Sequence, residues 1–509
     1  MNQPEDFGSM AVAMDNSALT ERRGCKKSVV GRESLDLTWT EVKWPLAFML
    51  CMSALGLKFP LAYILIPVIL IARFREDRYD FVIMFTILMG EYGLVSKNTF
   101  GFHPYFIALG IAFAGCLLYK KSRLVKKLLS LCFLYFAGIF IFAMMSEECL
   151  SLQLGSMLRY MTIIYFIIPL MCFSNTEFDI KVFFRKLMPY ALIMCIFYCL
   201  DCFIVNGWIF LPNTPLPEWA GESLFYSPVV RFFGYFPRKY PQGLIFILIV
   251  IYPIVKYYKL NWWQWLVVCL ALFSCRTFTV ITGMIATYIL CQGNIRRFFK
   301  YMVGGIIVVI GLYFVDSHLP VSGDQQSTLR IKSSFDQFLI FQTMEDEEDL
   351  AKLGTGRMAQ ILPKMELLYE LNRQWIGFGF LHPEKTTISK YIIENPLYLE
   401  DVVKEEVAAV VEVTAVQHIL YMGYLGLIMV ICFYLLVLRL IKNMEYRHYV
   451  YSIIFGVVWF GIAGFGGLLD AYTLLLVSLA LSAVLLENRN LEKGNNCRNE
   501  VIGNHSRLQ

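Results

Sequence analysis

The sequence predicts an all-α polytopic membrane protein with 12–14 transmembrane helices and a large, partly helical extracytoplasmic loop. Three observations point there. Of 509 residues, 57% are hydrophobic and only 17% charged, against about 25% charged in a soluble chain. The apolar residues are gathered into blocks of roughly 12 to 20, the length scale of a bilayer-spanning helix. Between two such blocks lies one long polar stretch, residues 316–415. Open strands cannot span lipid, because their edge N–H and C=O groups find no partner there. The alternating pattern of a membrane barrel is absent.

Taken in order, residues 1–42 are polar and carry Arg22, Arg23, Lys26, Lys27 and Arg32. The first apolar run starts only near Pro45, which does not fit a cleavable signal peptide, and a flexible cytoplasmic tail is expected. Pro45–Leu57 and Leu61–Ala72 are separated by Lys58-Phe59-Pro60 and flanked by basic residues at both outer ends. That pattern reads as a hairpin with both ends inside. Phe81–Val95 goes out, and Pro104–Tyr119 returns to Lys120, Lys121, Arg123, Lys126 and Lys127, the strongest inside marker of the chain. Leu128–Met145 goes out, Met157–Phe173 returns, and Met188–Val205 goes out to an outer loop at 206–240 rich in Pro and aromatic residues. Gly243–Val255 returns, Trp262–Ser274 goes out, Phe278–Cys291 returns, and Tyr301–Val315 leads into the 316–415 loop. Residues 43–315 thus hold helices 1–11. Residues 416–486 hold three more, at Ile419–Leu438, Tyr449–Gly467 and Ala471–Leu486, and 487–509 form a polar inner tail. Both termini are expected in the cytoplasm. Several runs are short, which leaves twelve spans open beside fourteen. No repeat of solenoid length occurs, nor a matched pair of broken helices of the inverted-repeat transporter kind.

The net charge of +5 sits in the short inner loops, so it reads as topology and not as a nucleic-acid footprint. The 14 cysteines lie mostly in apolar runs, and the single C-x-x-C at Cys199–Cys202 has no second pair. Neither a zinc site nor a disulfide-stapled outer domain is expected. The six histidines are scattered without an H-x-x-x-H, and the acidic run Glu345–Asp349 reads as solvated loop. No P-loop or G-x-G-x-x-G occurs. No metal and no cofactor are expected.

Four arginines fall on the expected outer side, against the charge rule: Arg231, Arg238, Arg276 and Arg357. A guanidinium fork suits phosphate oxygens, and a diphosphate-linked lipid presents its anion at this interface. The competing readings are ordinary loop charge for Arg231 and Arg238 and a helix-end snorkeller for Arg276. Met358, Ile361, Leu362, Met365, Leu368 and Tyr369 form a helical stripe inside the polar loop. Thr355 reads as its N-cap, which puts Arg357 in the first turn, where free N–H groups favour an anion; Pro363 should kink this helix. An amphipathic helix lying on the membrane is the alternative. Glu412 and Thr414 lie at the outer mouth of the next span, where a carboxylate could act as general base for a sugar hydroxyl. A solvated loop end is the plain alternative. His418 follows a little deeper and reads as a packing or hydrogen-bonding residue.

Gly356-Arg357 opening a helix, then Trp375-Ile376-Gly377-Phe378-Gly379, Glu412-x-Thr414 and Gly423-Tyr424-Leu425-Gly426 resemble, in order and spacing, the O-antigen polymerase/ligase superfamily. Ser274-Cys275-Arg276-Thr277 is similar to a Ser-Arg-Thr of that family, with Cys275 extra. The likeness covers Arg231 to Leu438. It implies a GT-C-like glycosyltransferase of the bacterial cytoplasmic (inner) membrane, metal-independent, with its active site on the outer side. Its implied donor and acceptor are undecaprenyl-diphosphate-linked oligosaccharides, with membrane lipids around it and a chain-length regulator protein as a further partner. Ligases of the family carry a His about eleven residues ahead of the Gly-x-x-Gly; here that position is Glu412, and His418 comes too late. The expected activity is therefore repeat-unit polymerisation of a capsule, O-antigen or exopolysaccharide. Arg276 and Arg357 are the expected catalytic and diphosphate-binding residues with Glu412 as base, Arg231 assists, and Arg238, Thr414 and His418 support. An O-antigen ligase is the near alternative; a flippase or transporter of lipid-linked oligosaccharide is the alternative of another class.

Overall fold

The computed structural model describes residues 32–56, 59–92, 105–146, 149–200, 240–274, 278–291, 295–318, 357–380, 413–462 and 471–505. The described residues are almost all helical. Helices α1 (Trp39–Gly56), α2 (Pro60–Glu76) and α3 (Arg78–Tyr92) are followed by α4 (Tyr105–Leu118) and α5 (Arg123–Met144). Next come α6 (Leu150–Tyr160), a 3-10 turn at Met161–Phe166, α7 (Ile167–Cys172) and α8 (Ile180–Leu200). Then follow α9 (Tyr240–Lys256), α10 (Trp262–Ser274), α11 (Phe278–Cys291) and α12 (Ile295–His318). Helix α13 (Arg357–Glu370) precedes α14 (Thr414–Leu440), α15 (Arg447–Ile462) and α16 (Ala471–His505).

Among the described residues, four helices are long and apolar enough to cross a membrane: Arg123–Met144, Gln153–Cys172, Ile180–Leu200 and Thr414–Leu440. About 20 residues at 1.5 Å each match a hydrocarbon core of about 30 Å. The other apolar helices are shorter over their described residues. The surface agrees with a lipid environment. Ile64, Val68 and Ile71 of α2, Val303, Ile307 and Phe314 of α12, and Leu425, Ile428 and Leu435 of α14 are all exposed. Apolar faces of that extent do not face water in a soluble monomer. The chain is a helical membrane protein.

The element from Leu150 to Cys172 is continuous but not uniformly α. Its middle tightens to a 3-10 turn in which Thr162, Ile163, Ile164, Tyr165 and Phe166 are all buried. A change of hydrogen-bond register frees carbonyls, which lipid cannot satisfy. Ser478 of α16 supplies the partner: its hydroxyl lies 3.3 Å from the Thr162 carbonyl and 3.2 Å from that of Ile163. It also lies 2.7 Å from its own helix's Leu474 carbonyl.

The charged helix ends gather at one end of the bundle. Arg73 of α2 is nearly buried and lies 2.9 Å from Asp80, 2.7 Å from Glu76 and 3.4 Å from Asp77. Lys186 of α8 lies 2.6 Å from Asp77, Tyr190 donates to Asp80, and Trp44 of α1 covers the Arg73 guanidinium. The segment expected to be a flexible tail is anchored here from Arg32 on. β1 (Glu33–Ser34) pairs in parallel with β2 (Tyr258–Lys259), and Leu35 is fully buried. Glu41 meets Arg185 at 2.6 Å. Burial alone would raise the Glu41 pKa, but hydrogen bonds from Arg185 and Thr38 outweigh it and hold the carboxyl below its ordinary value.

Two outcomes follow for this end. Arg73→Met leaves Asp80, 4% exposed, with Lys186 only at 3.9 Å, and should cost about 3–5 kcal/mol in thermal unfolding of the detergent-solubilised protein. Glu76→Gln, at a side chain 61% exposed, should cost under about 1 kcal/mol in the same assay. For Glu41, the lowered folded pKa means stability that is present above the ordinary value of 4.5 and lost as pH falls through the folded one. Because Arg185 is 41% exposed, Glu41→Gln should remove about 1 kcal/mol or less. It should also flatten the acid limb of a stability-against-pH curve.

Candidate functional site

The other end of the bundle is built around a break in α14. Gly423 has φ 66° and ψ −170°, so the helix cannot continue through it. In an unbroken helix the carbonyls of Leu420 and Tyr421 would accept from the N–H groups of Tyr424 and Leu425. Here all four groups turn to the loop segment after α13. Phe378 N–H donates to the Leu420 carbonyl at 2.7 Å, and Gly379 N–H to that of Tyr421 at 2.9 Å. Tyr424 N–H donates to the Gln374 carbonyl at 2.9 Å, and Leu425 N–H to that of Trp375 at 3.3 Å. The two lost helical bonds are thus replaced by four bonds to the loop.

This lock requires glycine on both sides. Gly377 has φ +73°, and a Cβ there would fall 2.5 Å from the Tyr421 carbonyl carbon. A Cβ on Gly423 would fall 2.1 Å from that of Trp375. The Trp375–Gly379 motif and the Gly423–Gly426 motif, separate in the sequence, are therefore two halves of one backbone contact.

The far side of the loop segment is clamped by α5 and α6. Ser146 Oγ donates to the Phe378 carbonyl at 2.6 Å, and Phe380 N–H donates to Gln153 Oε1 at 2.9 Å. Gln153 Nε2 donates in turn to the Ala143 carbonyl at the end of α5. Arg373 donates to the Met145 carbonyl at 3.3 Å.

Helix α13 is delivered to this lock by its own ending. Asn372, at φ 53°, takes the left-handed conformation. Arg373 N–H then reaches the Leu368 carbonyl and Asn372 N–H that of Tyr369, the paired bonds that close a helix C-terminus. The expected stripe does pack: Ile361, Met365 and Leu368 meet Val413, Val416, Ile419 and Leu420 at the start of α14. The helix continues through Pro363. Tyr369 is half-exposed, and its hydroxyl meets that of Tyr424 at 2.5 Å. Trp375 stands edge-on to the Tyr424 ring and is 56% exposed.

Beneath the loop lies an aromatic floor of Tyr160, Phe380 and Tyr421. His418 is 1% exposed beside Tyr160, and neither ring nitrogen has a hydrogen-bond partner among the described residues. Gln374 Oε1 is also buried without a partner among them. Buried polar atoms of this kind are rare and mark sites worth explaining.

Of the expected site residues, Arg357 is the first residue of α13, Thr414 is buried at the first turn of α14, and His418 lies one turn further on. Arg231, Arg238, Arg276 and Glu412, with the expected cap Thr355 and the acidic run, lie outside the described residues. Among the described residues no three His, Cys, Asp or Glu side chains gather as a metal site. One residue the sequence reading passed over is Arg159. It sits in the apolar Gln153–Cys172 span, is exposed, and has no ion-pair partner among the described residues. Its charge acts on the nearby Tyr421 hydroxyl. A lone charge inside a span was the available signal. No protein-family model matches the chain, and no curated protein matches it either.

The lock can be tested one glycine at a time. In Gly423→Ala, amide exchange at Phe378, Gly379 and Tyr424 should speed up at least roughly tenfold, since a non-Gly residue at positive φ costs about 1–3 kcal/mol before the steric clash is added. Gly110→Ala, where a Cβ meets nothing within 4 Å, should leave those amides unchanged.

Proposed function

We propose that this chain is an oligosaccharide repeat-unit polymerase of the O-antigen polymerase/ligase superfamily, a metal-independent GT-C-like glycosyltransferase. In this reading it spans a bacterial cytoplasmic (inner) membrane 12–14 times with both termini inside. It joins undecaprenyl-diphosphate-linked glycans on the outer side into a capsule, O-antigen or exopolysaccharide.

One observation carries the proposal. The two glycine motifs on which the family resemblance rests meet at the Gly423 break, and they hold α13, which opens with Arg357, against the start of the same broken helix. A helix N-terminus and a guanidinium at the membrane surface form a phosphate-binding arrangement.

In the transfer, a hydroxyl oxygen of the acceptor sugar attacks the anomeric carbon of the donor glycan. The bond from that carbon to the diphosphate breaks, and the undecaprenyl diphosphate leaves with the electron pair. In this reading Arg276 and Arg357, assisted by Arg231 and supported by Arg238, offset the charge growing on the leaving group, which is the largest catalytic term in such chemistry. Glu412 takes the hydroxyl proton. Thr414 and the buried His418, in the first two turns of α14, support the site from below. Arg159 adds a cation about 9 Å below Gln153, reckoned at 1.5 Å per residue, within reach of the same lipid head. The half-exposed rings of Trp375 and Tyr369 offer sugar rings a flat apolar face.

Purified protein supplied with lipid-linked repeat units should make polymer. Arg276→Ala and Arg357→Ala should each lower the rate by about a hundredfold or more, in line with loss of one group that stabilises the transition state, while the protein stays in the membrane. No polymer from the unaltered protein would end this reading. Transfer of a preformed glycan to a lipid acceptor would replace it with the ligase.

A further inference from the structure

At the end of α5 opposite the Gly423 lock, about 33 Å away along 22 residues, there is a cavity of about 960 Å³. It opens between the end of α4, the start of α5, the end of α7 and α16. Its lining is mixed: the cations Lys120, Arg123, Lys127 and Arg489 stand among the apolar Leu124, Leu170 and Leu485.

The cations are not neutralised by the protein. None of the four has an ion-pair partner among the described residues. Arg489 is held in place by backbone: it donates to the Phe173 carbonyl at 2.7 Å and to those of Ser174 and Thr176. These bonds fix its charge without cancelling it. Its Nε is buried and has no hydrogen-bond partner among the described residues. The first turn of α5 adds a positive helix end, with Ser122 capping only the Val125 N–H.

The apolar part of the lining sorts among anions. A soluble phosphate needs neither leucine walls nor a space of this size. Leu118 lines the mouth while 82% exposed, and Leu117 beside it is 84% exposed. On a membrane protein such leucines face acyl chains. Basic pockets between transmembrane helices suit anionic lipid heads.

We infer that this cavity is a binding site for the head group of an anionic glycerophospholipid, separate from the proposed reaction centre at the other end of the bundle. The phosphodiester sits among Lys120, Arg123, Lys127 and Arg489, and the acyl chains leave past Leu118.

The test uses the full-length protein in detergent, titrated with phosphatidylglycerol, phosphatidylcholine or glycerol phosphate and read by native mass spectrometry. Phosphatidylglycerol should be retained, phosphatidylcholine should not, and glycerol phosphate should fail to displace the lipid. Lys120→Gln/Arg123→Gln/Lys127→Gln should weaken retention at least roughly tenfold, while Arg439→Gln/Lys442→Gln at another inner loop should not. If the triple variant fails to insert, Asn175→Trp decides: it keeps every cation, fills the cavity mouth, and should expel the lipid. Equal retention by Asn175→Trp or by the triple variant would overturn the site. Equal retention of phosphatidylcholine, or displacement by glycerol phosphate, would overturn the assignment to an anionic lipid.

Discussion

A membrane helix that breaks must find partners for the backbone groups it releases, because lipid offers none. In this protein the break at Gly423 is completed by Gln374, Trp375, Phe378 and Gly379 through four hydrogen bonds. The rest of this end of the bundle follows from that constraint. The loop segment must lie flat against α14, so Gly377 and Gly423 carry no side chains between the two backbones. Its other edge must be satisfied too, and Ser146 and Gln153 do so from α5 and α6. Helix α13 is consequently fastened to the bundle by backbone geometry at one end and by the Leu368–Leu420 apolar contact along its length.

Much of the bundle was legible in the sequence because lipid imposes a simple rule. Apolar length alone located the runs that became α5, α8 and α14. The stripe of Ile361, Met365 and Leu368 identified α13, since a polar loop has no other reason to repeat apolar residues at helical spacing. What the sequence withheld is pairing across distance. Nothing local says that Gly377 and Gly423 touch, that Glu33 pairs with Tyr258, or that Arg73 sits among Asp77, Asp80 and Lys186. The closing role of Asn372 was readable as a residue type suited to a helix end but drew no attention among so many polar neighbours. Arg159 was hidden differently: one charge in a long apolar run is averaged away by any reading that works by composition.

The two ends of the bundle do different physical work. One end gathers carboxylates and cations into mutual contact, so its charges are mostly internal to the protein. Around the basic cavity the cations have no such partners among the described residues. The end with the Gly423 lock carries few charges in its described part and relies on backbone bonds and aromatic rings.

The 3-10 turn at Met161–Phe166 has a geometric effect on both ends at once. A 3-10 residue turns the chain by about 120° and advances it about 2.0 Å, against about 100° and 1.5 Å in an α-helix. Six such residues rotate everything after them by about a third of a circle and lengthen the element by about 3 Å. Gln153, which meets the loop, and Leu170, which lines the basic cavity, would lie about 260° apart around an unbroken α-helix and come to within about 20° of one another because of the turn. One continuous helix thus addresses two different neighbours at its two ends, and Ser478 holds the angle between them.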